Sequence, residues 1–187
     1  MAILVEKIGS TLCEVTGGFN HTEVYVAKVS SFDSLIAPKD KEGPNAATTL
    51  ADLVTISGDH IFKTGLGFTK IKAIKETVKL ETSQIGDATK SPVQENKMTV
   101  QMLGSEAQIL GFKRWAKGED LIVIAIEFES GNVRQIGSAQ YGGIIIESNS
   151  KIEETINGEN TTTLVFQDKQ KYDAPIYTGQ IVTQPAG

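Results

Sequence analysis

Between residues 77 and 102 the chain reads TVKLETSQIGDATKSPVQENKMTVQM, and both ends of that stretch alternate. Val78 and Leu80 are apolar, whereas Thr77, Lys79 and Glu81 are polar; Met98, Val100 and Met102 are apolar, whereas Lys97, Thr99 and Gln101 are polar. Strict alternation places successive side chains on opposite faces of a strand, so each strand has one face to bury and one to leave polar. The link between them, 83–94, carries Gly86, Asp87, Ser91 and Pro92, which are turn formers. A hairpin of this kind requires a second layer over its apolar face. It also raises the question of what its polar face meets.

The same period recurs along the chain. Strands are predicted over 3–8 and over TEVYVAKV at 22–29. From Phe68 to Leu80 the pattern is again β, but Ile71 and Ala73 hold one phase while Ile74, Val78 and Leu80 hold the other, which predicts a bulge near Ala73 and Ile74. LIVIAIEF, beginning at Leu121, is apolar on both faces and predicts a central strand. VRQIG and YGGIIIES follow. KIEETI and TTTLVFQD flank Asn157-Gly158, the strongest short hairpin signal. Residues 30–47 read as a long exposed loop and 46–54 as a short helix. The tail, 170–187, reads as partly extended.

One segment has a helical period. In SEAQILGFKRWAKG, Ser105 stands at the N-cap with Gln108 three residues on, and Ile109, Phe112, Trp115 and Ala116 form one stripe. Lys113, Arg114 and Lys117 lie near the negative end and Gly118 is placed to end the helix. Gly111 costs about 1 kcal/mol there against alanine, which predicts a close contact. Ser105, Ile109, Phe112 and Trp115 are thus the expected anchor of the helix, with Trp115 buried. Together these features predict a mainly β chain: a single domain over 1–187, built as an antiparallel β-sandwich or barrel with one packed α-helix at about 106–117 and long loops.

Chemistry-bearing motifs are sparse. The candidate metal ligands His21, His60 and Cys13 have no metal-site spacing. No G-x-S-x-G is present, and TGLGFTK at 64–70 completes neither a dinucleotide fingerprint nor a P-loop. Glu127, Glu129, Glu153 and Glu154 read as solvated strand positions, Asn20-His-Thr22 and Asn160-Thr-Thr162 as chance sequons, and Cys13 as a small core residue. No enzyme, metal or cofactor is expected. The longest apolar runs fall far short of the ~20 residues of a membrane helix, and the N-terminus has no basic region before its apolar residues, so no membrane insertion and no secretory signal are expected. The net charge of −5 argues against gripping nucleic acid by its phosphates.

The order of elements carries a resemblance. A strand pair with a polar link precedes a Trp-bearing helix; GEDLIVIAIEFESGNVRQIGSAQYGGIIIES follows, with G-x-V-R-x-I-G at 131–137, and then the hairpin INGENTTTLVFQD. Over 68–168 this layout resembles the phage tail tube protein family, whose fold is shared by the inner tubes of contractile tails and type VI secretion systems. The resemblance implies hexameric rings that stack into a hollow tail tube within the virion, made from subunits synthesised in the host cytoplasm. Each subunit gives four strands to a continuous inner barrel, and DNA passes through without specific binding. The partners it implies are further copies of the chain and other tail proteins such as the tape measure and the terminator. In that arrangement Thr77, Lys79, Glu81, Thr99 and Gln101 face the lumen, and Ile85, Asp87 and Val93 in the link contact the neighbouring ring. The alternatives are a monomeric β-sandwich module binding a carbohydrate or other ligand, and another tail part such as a terminator or neck ring. Aromatics at 6% and a lone Trp in the helix offer little of the platform that sugar binding uses.

Overall fold

The computed structural model describes residues 18–19, 23–128, 130–155 and 158–184. The expected strand at 3–8, Cys13, His21, Glu129, Asn157 and the end of the tail lie outside them, as do Asn20 and Thr22 of the first sequon. In chain order the strands are β1 (Glu23–Lys28), β2 (Phe32–Ser34), β3 (Thr55–Ile56), β4 (Ile61–Phe62), β5 (Thr69–Lys72), β6 (Lys79–Ile85) and β7 (Val93–Leu103); then comes helix α1 (Ala107–Ala116), followed by β8 (Leu121–Ile126), β9 (Val133–Ile136), β10 (Ile144–Ile152), β11 (Asn160–Gln170) and β12 (Ile176–Tyr177). The chain is mainly β, a sandwich with one helix, as the sequence predicts. One sheet has six strands in the order β3-β12-β9-β8-β1-β5; the other has four in the order β10-β11-β7-β6.

The apolar stretch that forms β8 explains the layering. Its alternate residues face opposite ways, and all but the last are buried. Leu121, Val123 and Ala125 join the core between the sheets, with Val24, Val26 and Ile136 from the six-stranded sheet and Met98, Val100, Leu164 and Phe166 from the four-stranded one. Ile122 and Ile124 point the other way, into a second cluster with Phe32, Ile56, Phe68 and Tyr177. The β2–β4 pair helps to close that outer side through Phe32 and Phe62, whose rings are 4.1 Å apart.

The phase slip at Ala73 and Ile74 is not a bulge. β5 ends at Lys72 in one sheet and β6 starts at Lys79 in the other, and the turn between them holds Glu76 at φ 62°. Two strands in different sheets need no common phase. The short helix expected at 46–54 is a single 3-10 turn, Ala51–Leu53. Asp52 competes with a longer helix by accepting the backbone N–H groups of Thr48 and Thr49 and the Thr48 hydroxyl. YGGIIIES and KIEETI, read as separate strands, merge into β10, with a register shift between Ile145 and Glu147. The β10–β11 hairpin exists; beyond its last pair, Ile152 and Asn160, the Glu153 N–H donates to the Glu159 carbonyl at 3.0 Å and the Gly158 N–H to the Thr155 carbonyl at 2.9 Å.

Two buried polar clusters tie the layers. Asp168 on β11 accepts from Asn96 Nδ2 on β7 (2.8 Å), from the Gly137 N–H (2.6 Å) and from Gln170 Nε2 (2.6 Å). Burial pushes its carboxyl pKa up, and the three donors pull it back. Asn96 is fixed in orientation, because its Oδ1 accepts the Ala174 N–H at 2.9 Å. Gly137 sits at φ 92°, where a Cβ would overlap the Leu121 carbonyl oxygen, so only glycine fits. Gln135 Nε2 donates to the Gly137 carbonyl at 3.0 Å, and its Oε1 meets His60 Nε2 at 2.8 Å. His60 Nδ1 accepts the Ile36 N–H at 3.2 Å, which requires a neutral ring with its proton on Nε2, and the ring stacks on Tyr177.

Burial lowers the His60 pKa below its ordinary 6.5. The unfolded chain therefore takes up the proton first as pH falls. The stability that neutral His60 supports is complete above the unfolded value and declines as pH drops through it. Urea midpoints measured from pH 7 to pH 5 are expected to fall for the wild type, and His60→Gln is expected to flatten that decline from a lower starting stability. Equal slopes for the two proteins would show that His60 does not titrate differently on folding.

Candidate functional site

The feature that sets this chain apart from an ordinary two-layer sandwich is the outer face of its four-stranded sheet. On β7 the even positions Asn96, Met98, Val100 and Met102 are buried, and the odd positions from Glu95 to Gln101 are half-buried on the opposite face. Register aligns Lys79 with Thr99 and Val165, Glu81 with Lys97 and Gln167, and Ser83 with Glu95 and Lys169. Gln101 pairs with Thr163 and Asn149 in turn.

The charges on this face compensate one another. Lys79 meets Glu81 at 2.7 Å, Lys97 meets Glu95 at 2.7 Å, and Lys169 lies 3.9 Å from Glu95. Gln167 Nε2 also donates to Glu95. The hydrogen bond that Lys97 donates to Glu95 is the main cause that raises the Lys97 pKa, with the charges of Glu95, Glu147 and Glu81 adding to it; the same bond leads the causes that lower Glu95. Lys79, Lys97 and Lys169 are thus set against Glu81, Glu95 and Glu147, and Lys151, which its pairing with Thr161 puts on the same face, against Glu153 and Glu159, so that every lysine of this polar face has a glutamate near it.

Four of the five residues expected on one polar face, Lys79, Glu81, Thr99 and Gln101, do lie together on it. Thr77 does not extend the strand. It precedes β6, and its hydroxyl donates to the Ile74 carbonyl at 2.6 Å, with the Gln101 carbonyl at 3.4 Å.

The link is shorter than the composition of 83–94 suggests. Residues 83–85 and 93–94 are strand, closed by the pair Ile85 and Val93, so only 86–92 connects them. Ile85 and Val93 are therefore rungs at the base of the connection rather than parts of a loose arm. Asp87 sits within it, accepting the Thr89 N–H at 3.0 Å and the Thr89 hydroxyl at 2.7 Å.

The sheet ends in two long edges. Among the described residues, β10 and β6 each have one neighbour. All three pairings are antiparallel, so these edge strands run in opposite directions. On β10, Ile144 is 45% exposed and Ile146 38%, and Tyr141 precedes them in the open. A solitary sheet normally protects such an edge with charge, proline or a cover.

The helix closes the side of the sandwich. Ile109 and Phe112 pack on the core and Ala116 is fully buried, as the stripe predicts. Trp115 departs from that expectation. It is 40% exposed, with Lys28 Nζ 4.5 Å above its ring and Phe112 beside it. The stripe turns its Ala116 side inward and leaves the large indole at the rim. Ser105 is not the N-cap. Glu106 holds that position without a side-chain cap, and the Ser105 hydroxyl instead accepts from Asn160 Nδ2 at 3.3 Å. Gly118 follows the C-cap at φ 75°, the left-handed stop that the sequence predicts. Gly111 faces open space, so no close contact explains it.

A groove of about 650 Å³ runs between the helix and β5, floored by Ile71, Ala73, Ile74, Ile109 and Phe112 and bordered by Lys70, Lys72 and Lys75. Sequence reasoning missed it, because its two walls are more than 30 residues apart in the chain. Among the described residues, no group of three or more His, Cys, Asp or Glu is placed to hold a metal ion, and no helix is long and apolar enough to cross a membrane. No protein-family model, curated protein or solved structure matches the chain.

With its indole at the rim, Trp115→Ala is expected to cost about 1–2 kcal/mol, well below the ~3–5 kcal/mol expected of Phe166→Ala in the core. Thermal melting of the two variants checks this. As the one tryptophan, Trp115 also makes native fluorescence quenching by acrylamide a direct reading of its exposure; a fully shielded indole would contradict the structure.

Proposed function

We propose that this chain is a structural subunit that closes into rings through the edges of its four-stranded sheet, and that the rings stack into a hollow tube of the phage tail type, a conduit for DNA. One observation carries this: among the described residues, a sheet with a charge-balanced polar face has two edges of opposite direction with no further strand on them, one of them bearing exposed isoleucines. Joining β6 of one copy to β10 of the next continues the antiparallel order without a break. Repeating that step about an axis covers both edges of every four-stranded sheet, which is the way barrels solve the edge problem. A head-to-tail contact of this kind forms a ring when its rotation closes.

Curvature puts the polar face inside, because the other face carries the rest of the subunit. With six copies, 24 strands at ~4.8 Å and ~45° tilt give a backbone ring ~50 Å across, and side chains leave a bore of about 40 Å, wider than duplex DNA. A lumen whose lysines are each answered by glutamates offers phosphates no net attraction, and passage rather than binding follows. The exposed Trp115 favours a ligand-binding module, but Lys28 lies across its ring and denies a sugar a flat platform.

Sedimentation and negative-stain microscopy of the purified protein are expected to show rings and tubes; a chain that stays monomeric at high concentration would sink this proposal. Ile144→Lys with Ile146→Lys places two charges on the β10 edge at exposed sites. The melting temperature is expected to hold within a few degrees while rings disappear. Replacing 86–92 by Asn-Gly closes the β6–β7 hairpin tightly at Ile85 and Val93. That variant is expected to form rings but shorter tubes, since the link projects from one end of the sheet towards the next ring. Tubes of wild-type length would show that the link takes no part in stacking.

A further inference from the structure

We infer that the described end of the β10–β11 hairpin of one copy, Ile152 with Glu153, Glu154 and Glu159, which we call its tip, docks into the lysine-bordered groove between α1 and β5 of the next copy in the ring. The inference rests on the ring reading above and names its second contact. Three observations lead to it: position, facing and charge.

The first is position. β10 ends at Ile152, β11 starts at Asn160, β7 ends at Leu103 and β6 starts at Lys79, so the hairpin tip and the start of β6 lie at the same end of the sheet. The groove also lies at that end and on the β6 side. Met102 and Leu103 line it, and the Ile74 N–H on its wall donates to the Gln101 carbonyl at 2.7 Å. The tip is carried by the opposite edge strand, β10. Within one copy the two features are therefore at opposite edges of the sheet. Once β6 of one copy lies beside β10 of another, the tip of one stands next to the groove of the other at the same height.

The second is facing. Ile152 shares the side of β10 that holds Ser150, whose hydroxyl accepts from Lys113 of α1 at 2.8 Å. The groove is floored by Ile109 and Phe112 of the same helix, so both features lie behind the sheet, away from its polar face. Ile152 is 68% exposed, an apolar side chain left largely open by the described residues of a single copy. The groove floor is apolar and open, and fits such a residue.

The third is charge. Glu153, Glu154 and Glu159 stand at the tip, where Lys151 pairs with Glu153 and, at 3.4 Å, with Glu159. The tip keeps an acidic excess of two. Lys70, Lys72 and Lys75 border the groove, against Glu106 in its lining and Glu23, which pairs with Lys70. Opposite signs across a contact fix its register and hasten encounter, and like signs are strongly penalised.

The test is charge reversal with exchange. Glu154→Lys alone and Lys72→Glu with Lys75→Glu are each expected to raise the concentration needed for half-assembly at least tenfold, read by sedimentation in low salt, with melting temperatures near that of the wild type. Combining the three substitutions restores opposite signs and is expected to recover most of the loss. Carbodiimide treatment of a mixture of isotopically light and heavy wild-type copies is expected to give light–heavy crosslinks between Glu153 or Glu154 and Lys72 or Lys75. Wild-type protein that assembles while the reversals change nothing, or that yields no such crosslink, overturns this docking and leaves the ring standing. A wild type that does not assemble at all overturns both.

Discussion

A strand with no polar face governs this architecture. Leu121 to Ala125 are all buried, so β8 needs apolar cover on both sides. The four-stranded sheet covers one side and the β2–β4 pair with the aromatic cluster covers the other. Each covering layer has only one face to spend on the core. The polar face of β6, β7, β11 and β10 follows from that: it is the outermost surface of a stack whose central strand is apolar on both faces. At roughly 25 cal/mol per Å² of apolar surface removed from water, burial on both sides of one strand is a large share of what holds the layers together.

Packing of this kind does not by itself set how the sheets sit on one another, since apolar contacts carry little direction. The buried polar groups supply direction. Asp168 reaches from β11 to the Gly137 N–H just beyond β9, and Asn96 on β7 holds Asp168 on one side and Ala174 on the other. Slide one sheet by a residue and these donors and acceptors would be stranded in a dry core, each at a cost of about 1–3 kcal/mol. Gln135 continues the chain of contacts to His60 and so to the outer layer. The core gives cohesion and the polar chain gives registry.

With registry fixed, the sheet edges face outward at set heights, and the proposed assembly grows from that. The same alternation that buries Met98 and Val100 presents Lys97 and Thr99 to the far side. The three antiparallel pairings that give the sheet an even number of strands leave its two edges running in opposite directions, the condition for head-to-tail addition. Local strand order thereby becomes a rule for joining copies, and the hairpin tip and the α1–β5 groove lie at positions where such joining brings them together.

The sequence by itself determined the longer strands, the helix and the two-faced character of β6 and β7, but not β2, β3 or β4: 30–47 reads as an exposed loop, yet Phe32 within it is buried and paired with β4. Each is a local pattern: period two in Lys79 to Glu81 and Lys97 to Gln101, apolar continuity in LIVIAI, a 3.6 period ending at Gly118. The site was legible to the same depth, so Lys79, Glu81, Thr99 and Gln101 were placed on one face by alternation alone. What alternation cannot say is which sheet a strand joins. The change of phase at Ala73 therefore read as a bulge, when it is a crossover between sheets. Nor can a helical stripe say where its edge falls, and Trp115 stands at the rim because Ala116, one residue on, fills the buried position. Ser105 lost its cap to Asn160, a partner 55 residues away. The salt-bridge pairing across the polar face, the open edges and the groove between α1 and β5 all arise from residues far apart in the chain. Only the tertiary structure could decide them, because burial and pairing energies depend on neighbours in space that no window of sequence contains.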